Sequence, residues 1–276
     1  MGLLDGQYAS MTTGRSMDFD DLRSYVPGDD VKDIDWKSSA RAGELLIKSY
    51  RAERRHTLAF VVPTGGSLAS AATLTHSKID VVLATIGVLA WVACHQGDYV
   101  TVVAPGQDGP SVARPSYRDT QIEHMLAGLD AGCRLEAPDP DLVELLDLTA
   151  SGLRRRCIVV VVLDDWDPRP ADVDALASLC ARHEVLAIEV SDLDLTDPAL
   201  ATVPTRDQAT GQPVPGFVAR DRKVREQAVA ARQERARRRG HTLDRLGIIH
   251  ESVADVDDSV AAIVRLLERM RHASRH

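Results

Sequence analysis

The chain has 276 residues, 27% of them charged, a formal net charge of −8 and four cysteines. That length can bury a large core, and it favours one sizeable α/β domain with an extension over two equal domains. The composition argues against a disordered or fibrous chain, and Cys94, Cys133, Cys157 and Cys180 form no CxxC pair, which argues against a zinc knuckle or a disulfide framework. The longest uncharged apolar stretch, Val81 to Cys94, falls short of the roughly 18 residues a membrane span needs. The N-terminus lacks a charged-then-apolar signal pattern. A cytoplasmic chain without a membrane span is the expectation.

An arm over residues 1–56 comes first. Its segment YVPGDDVKDIDW carries Asp29, Asp30, Asp33 and Asp35 and closes on Trp36. Pro27-Gly28 presets a tight turn in which Asp29 and Asp30 accept backbone N–H bonds. Trp36 is expected to bury its ring and anchor the arm, while Asp33 or Asp35 pairs with Arg23 or Arg41. LLIKSY continues as a strand. An acid-base or metal role for these carboxylates would need an ion or a histidine, and no histidine lies between residues 1 and 55.

From residue 57 onward, short runs rich in β-branched residues alternate with one-sided amphipathic stretches. TLAFVV (57–62), YVTVVA (99–104), CIVVVVL (157–163), EVLAIEV (184–190) and GIIHESV (247–253) read as strands covered on both faces. Ile79 to Ala93, Ile122 to Leu129, Val173 to Cys180 and Val260 to Met270 recur at helical spacing. This alternation predicts a doubly wound, mostly parallel sheet, with ligands expected beyond the carboxyl ends of the strands. The loops there read PTGGS (63–67) and DDWD (164–167). Neither GxGxxG nor a Walker lysine is present, so nucleotide binding is weakly supported, although a Gly65-Gly66-Ser67 turn could cradle an anion. Asp164, Asp165 and Asp167 read first as a solvated loop capping the next helix.

These loops resemble the upper end of a von Willebrand factor type A domain. In that family Asp-x-Ser-x-Ser after the first strand, a late Asp and a Thr from an intermediate loop hold Mg2+ in a metal-ion-dependent adhesion site. Here the first-loop pattern falls on Pro63, Gly65 and Ser67, so two oxygen donors are missing. Asp165, with Asp164 beside it, matches the late acid, and Thr120 and Ser116 lie in the middle region. The resemblance implies a degenerate site, with no cofactor and no Mg2+ expected.

The arm is the most specific stretch. Arg23 and Tyr25, Pro27-Gly28-Asp29-Asp30, Asp35-Trp36 and Arg41 resemble the signature of the Domain of Unknown Function 58 family, which precedes a type A-like domain, here 57–276. A late hairpin insert, at about 192–220, fits the same resemblance. The family implies a non-enzymatic adaptor that works with a MoxR-type AAA+ ATPase or its client in assembly or maturation of other proteins. An alternative is a metal-dependent phosphoester or nucleotide-acting enzyme using residues 164–167, with Gly65-Gly66 holding phosphate. The arginine-rich stretch over 220–239 reads as a solvated helix face, since it has no aromatic for base stacking, and specific nucleic-acid binding is not expected. His56, His76, His95 and His183 fall on different elements and suggest no catalytic pairing.

Overall fold

The structure is a computed structural model that describes residues 18–26, 29–51, 55–106 and 109–273. The chain divides between Arg55 and His56 into two compact units. In the first, β1 (Asp18–Ser24) pairs antiparallel with β2 (Leu46–Arg51), and α1 (Trp36–Ala42) lies between them in sequence. Three acids of this unit organise the backbone. Asp35 is the N-cap of α1, accepting from the N–H groups of Lys37 and Ser38 at 3.1 and 3.0 Å. Asp30 caps a short 3-10 turn through Lys32 N–H, and Asp29 accepts from Val26 N–H at 3.0 Å. Gly43, at φ 74°, ends α1 in the left-handed region that favours glycine. The Pro27-Gly28 turn lies outside the described residues.

Trp36 does not bury its ring. It occupies the first helical position and is 62% exposed, while Ile34 and Ile47, joined by a β-bridge, are the apolar side chains this unit buries among the described residues. An aromatic residue in an otherwise polar sequence invites a core assignment, but the face that α1 buries is set by Ser39, whose hydroxyl exchanges hydrogen bonds with the backbone of Leu46.

In the second unit the chain runs β3 (Thr57–Val61), α2 (Gly66–Ala69), α3 (Lys78–His95), β4 (Tyr99–Gly106), β5 (Gly109–Val112), α4 (Asp119–Gly132) and α5 (Leu142–Gly152). It continues with β6 (Ile158–Leu163), α6 (Pro170–Cys180), β7 (Glu184–Val190), β8 (Thr205–Arg206), β9 (Pro213–Val214), α7 (Phe217–Arg220), α8 (Arg222–Arg245), β10 (Ile249–Val253) and α9 (Ser259–Ala273). The sheet order is β10-β7-β6-β3-β4-β5, parallel throughout except at the β4–β5 edge. β8 and β9 form a separate small hairpin inside the expected insert.

β6 explains why the apolar runs are continuous. All six of its residues are buried, and alternation sends Val159, Val161 and Leu163 to one face and Val160 and Val162 to the other. The first set meets Leu145 and Leu146 of α5, Leu176 and Leu179 of α6 and Leu243 of α8. α3, α4 and α9 cover the opposite face, α3 packing on both of the others. By length and composition alone α3 could cross a membrane, although half of it is buried as in a core helix. It is longer than the expected Val81–Cys94 stretch, because the helix begins at Lys78 and takes that charge inside.

β3 neighbours β4 on one side and β6 on the other. The chain therefore reverses its direction of winding there, and this switch point, at the carboxyl ends of β3 and β6, is where a ligand crevice forms in sheets of this kind.

Candidate functional site

Four loops converge on that crevice. After β3 the chain crosses Pro63 and Thr64 into α2, which presents Ser67. Ser77 then caps α3, accepting from Asp80 N–H while the Asp80 carboxylate accepts from Ser77 N–H at 2.8 Å. This cap, with Lys78 N–H donating to Ser70 O at 2.8 Å, fixes the backbone of Lys78. Asp164 follows β6. Asp192 follows β7, between Ser191 and Leu193, whose N–H groups donate to Val253 and Ala71.

The Lys78 side chain is 2% exposed and its ammonium meets the loops that bear Ser67, Asp164 and Asp192. Nζ lies 2.5 Å from Asp192 Oδ1, 3.3 Å from Asp164 Oδ2 and 3.2 Å from Ser67 Oγ. Ser67 Oγ in turn donates to Asp164. Burial on its own would lower the Lys78 pKa, but the Coulombic pull of Asp164 and Asp192 and their hydrogen bonds raise it above its ordinary value. The group is a buried, paired cation.

The turn at Gly65-Gly66 is covered by residues 135–139. Gly66 N–H donates to Ala137 O at 3.1 Å and Ser67 N–H to Asp139 Oδ1 at 2.7 Å, so these donors are already spent on the protein and not on an anion. A Cβ on Gly65 would stand 2.6 Å from Asp139 Oδ1, and one on Gly66 would stand 2.8 Å from Ala137 O. Glycine is needed at both by close approach, not by dihedral strain. Gln208, from the tip of the β8–β9 hairpin, donates to Leu135 O at 3.4 Å and closes the cover. Burial pushes the Cys133 thiol beneath it up to about 11, against a lowering hydrogen bond from Gly65 N–H.

Several expected positions move. Asp164, not Asp165, faces the crevice; Asp165 turns to α8, 2.8 Å from Arg239 and 3.6 Å from Arg235. Arg239 also meets Glu189 at 3.0 Å, and Glu189 accepts from His250 Nδ1 at 3.0 Å. The α8 arginines are thus largely drawn into ion pairs, Arg232 with Asp194 among them. Asp167 is exposed, so the three acids of the loop do not converge. Ser116 pairs with Val100 at the start of β4, and Thr120 lies in the first turn of α4, about 18 Å below the helix end at Gly132. The middle loop at the crevice is instead 133–141, which brings Asp139. Lys78, Asp192 and Asp139 were not picked out from the sequence. The available signal was a lysine in the first turn of the most apolar helix, where the helix dipole disfavours a cation.

An adhesion-type arrangement supplies oxygens from the positions of Pro63 and Gly65. Here Pro63 brings none and the side-chain space of Gly65 is filled by Asp139. Mg2+ requires about six oxygens at 2.0–2.1 Å, and these residues do not make such a shell. Among the described residues no group of three or more His, Cys, Asp or Glu is placed to hold a metal.

A family model described as protein of unknown function DUF58 matches residues 21–238. An uncharacterized protein of Mycobacterium tuberculosis and its counterpart in Mycobacterium bovis are each 28% identical over 219 residues, covering 76% of this chain and 66% of theirs. The chain therefore spans slightly less than two thirds of the length of these curated relatives. Solved structures similar in fold include the conserved hypothetical protein BatB from Bacteroides thetaiotaomicron, at 14% identity, TM-score 0.45 and coverage of 79% of this chain and 100% of that one. A von Willebrand factor type A protein from Catenulispora acidiphila aligns at 12% identity and TM-score 0.42, covering 81% of this chain and 43% of that one. Likeness of that degree leaves the site to be read from this chain's own residues.

Proposed function

Because this chain belongs to the family described as protein of unknown function DUF58, we propose that it is a non-enzymatic protein-interaction module, an adaptor working with a MoxR-type AAA+ ATPase or its client in the assembly or maturation of other proteins. The observation that carries the reading is the first unit's surface. Val26, Val31 and Trp36 are 57%, 58% and 62% exposed along one segment. Asp30 and Asp35 of that segment are engaged as caps and Asp29 accepts from Val26 N–H, so these three shape the backbone that presents these side chains. Apolar side chains exposed close together in one short segment support an interaction surface, and tryptophan is among the residues that dominate binding energy at such surfaces.

The crevice supports the same reading. Asp164 is committed to Lys78 and Ser67, and Asp165 to Arg239. A general base or a phosphate cradle would need free groups at these positions.

The test is capture of a purified MoxR-type AAA+ ATPase from the same genome on the immobilised full chain, with ATP, with ADP and without nucleotide. Trp36→Ala is expected to weaken binding about thirtyfold, the equivalent of about 2 kcal/mol for a buried interface aromatic, with an unchanged melting temperature. No capture in any nucleotide state, or binding by Trp36→Ala equal to wild type, would end the reading.

A further inference from the structure

We infer that Lys78 is the resident cation of the crevice: its ammonium holds the loops bearing Ser67, Asp164 and Asp192 together and leaves no place there for a divalent ion. Three loops from separate parts of the chain send oxygen atoms to one nitrogen, at 2.5, 3.2 and 3.3 Å. An ammonium has three donors and no acceptor capacity, so three oxygens saturate it.

The position is a costly one for a lysine. Its side chain is 2% exposed, and it opens an apolar helix whose N-terminus repels positive charge. Two carboxylates offset that cost, and Asp164 and Asp192 stand 22% and 38% exposed, so the ammonium lies beneath them. A divalent ion at these oxygens would face the ammonium at close range with neither Pro63 nor Gly65 to supply ligands. The crevice therefore offers no open coordination position to a partner's carboxylate, and recognition at this end does not depend on divalent ions. The inference holds whatever the partner is, and the Trp36 result does not bear on it.

Two measurements on the full chain test it. Wild type titrated with MgCl2 and with MnCl2 in a calorimeter is expected to take up neither ion, and its melting temperature is expected to be the same in millimolar MgCl2 and in EDTA. Lys78→Met keeps the aliphatic shaft, drops the charge and leaves Asp164 and Asp192 uncompensated, so it is expected to melt several degrees lower. Uptake of one Mg2+ or Mn2+ by wild type, lost in Asp164→Ala, would overturn the inference, as would a Lys78→Met variant that melts like wild type. Should Lys78→Met fail to fold, the wild-type titration decides alone.

Discussion

Asp172→Ala removes a side chain that the local sequence gives no reason to value, and its cost follows from the hydrogen bonds it accepts. Asp172 is 1% exposed and sits in the first turn of α6. Its carboxylate accepts from Trp166 Nε1–H at 3.1 Å and from Arg169 N–H at 3.1 Å, and takes the Arg169 guanidinium at 2.6 Å. Alanine leaves two neutral donors without their acceptor, at about 0.5–1.5 kcal/mol each. It also removes a negative charge from a helix N-terminus, worth about 0.3–1 kcal/mol. The ion pair adds little, because the arginine side of it is open to water. The total is about 1.3–4 kcal/mol, equivalent to a fall in melting temperature of about 3–15 °C for a unit of this size. Asp172→Asn keeps one oxygen, and since both neutral donors reach the same Asp172 oxygen it can still accept from both, so it is expected to cost about half as much.

Urea unfolding followed by circular dichroism, and by the fluorescence of Trp166, measures both variants. Burial by itself would raise the Asp172 pKa, but the Arg169 hydrogen bonds, with one from Trp166, hold it below the usual carboxylate range. The contribution is therefore present above the unfolded value of about 3.9 and is lost as pH falls through the folded one. The gap between wild type and Asp172→Ala should close in acid. A gap at neutral pH below about 0.5 kcal/mol, within the range of ordinary surface substitutions, would refute the reasoning.

His250 is expected to give the opposite pH dependence. Its hydrogen bond to Glu189 raises its pKa, against burial and the nearby Arg269, with Asp244 assisting. A raised histidine stabilises fully below its unfolded value of about 6.5 and loses that stabilisation as pH rises through the folded value. His250→Gln should therefore unfold at lower urea than wild type in mild acid and converge with it in alkaline buffer; a constant gap would sink the assignment. Gly66→Ala should cost about 1–3 kcal/mol, because its Cβ would press on backbone carbonyls at 2.8 and 2.9 Å. Gly128→Ala, in α4 with nothing within 4 Å, should instead be neutral or slightly stabilising. Equal melting temperatures for the two glycine variants would contradict the packing described at the crevice.

The parallel strands were legible because burial on both faces writes itself as unbroken β-branched runs, so 184–190 and 157–163 mark β7 and β6 to within a residue. β5 was not legible. Its sequence, GPSV, has no apolar period, and it is a strand only because β4 offers it hydrogen bonds. Between Asp164 and Asp165 the local sequence does not choose; the exit of β6 aims the first at Lys78 and the second at α8. Lys78 lies 86 residues from Asp164 and 114 from Asp192, so the pairing exists only once β3, β6 and β7 are side by side. Trp36 shows the converse failure, since a large apolar side chain was read as core where the helix face decides otherwise.

The antiparallel edge of the sheet restricts how another chain can join it. β5 spans Gly109–Val112, and its Pro110 has no N–H to give. An incoming strand would find a row of four residues already lacking a donor, too short and too interrupted to template pairing. Strand addition at this margin, whether by a client peptide or by a second copy growing into a fibril, is disfavoured by the backbone itself, so assemblies involving this side of the unit must be made through side chains.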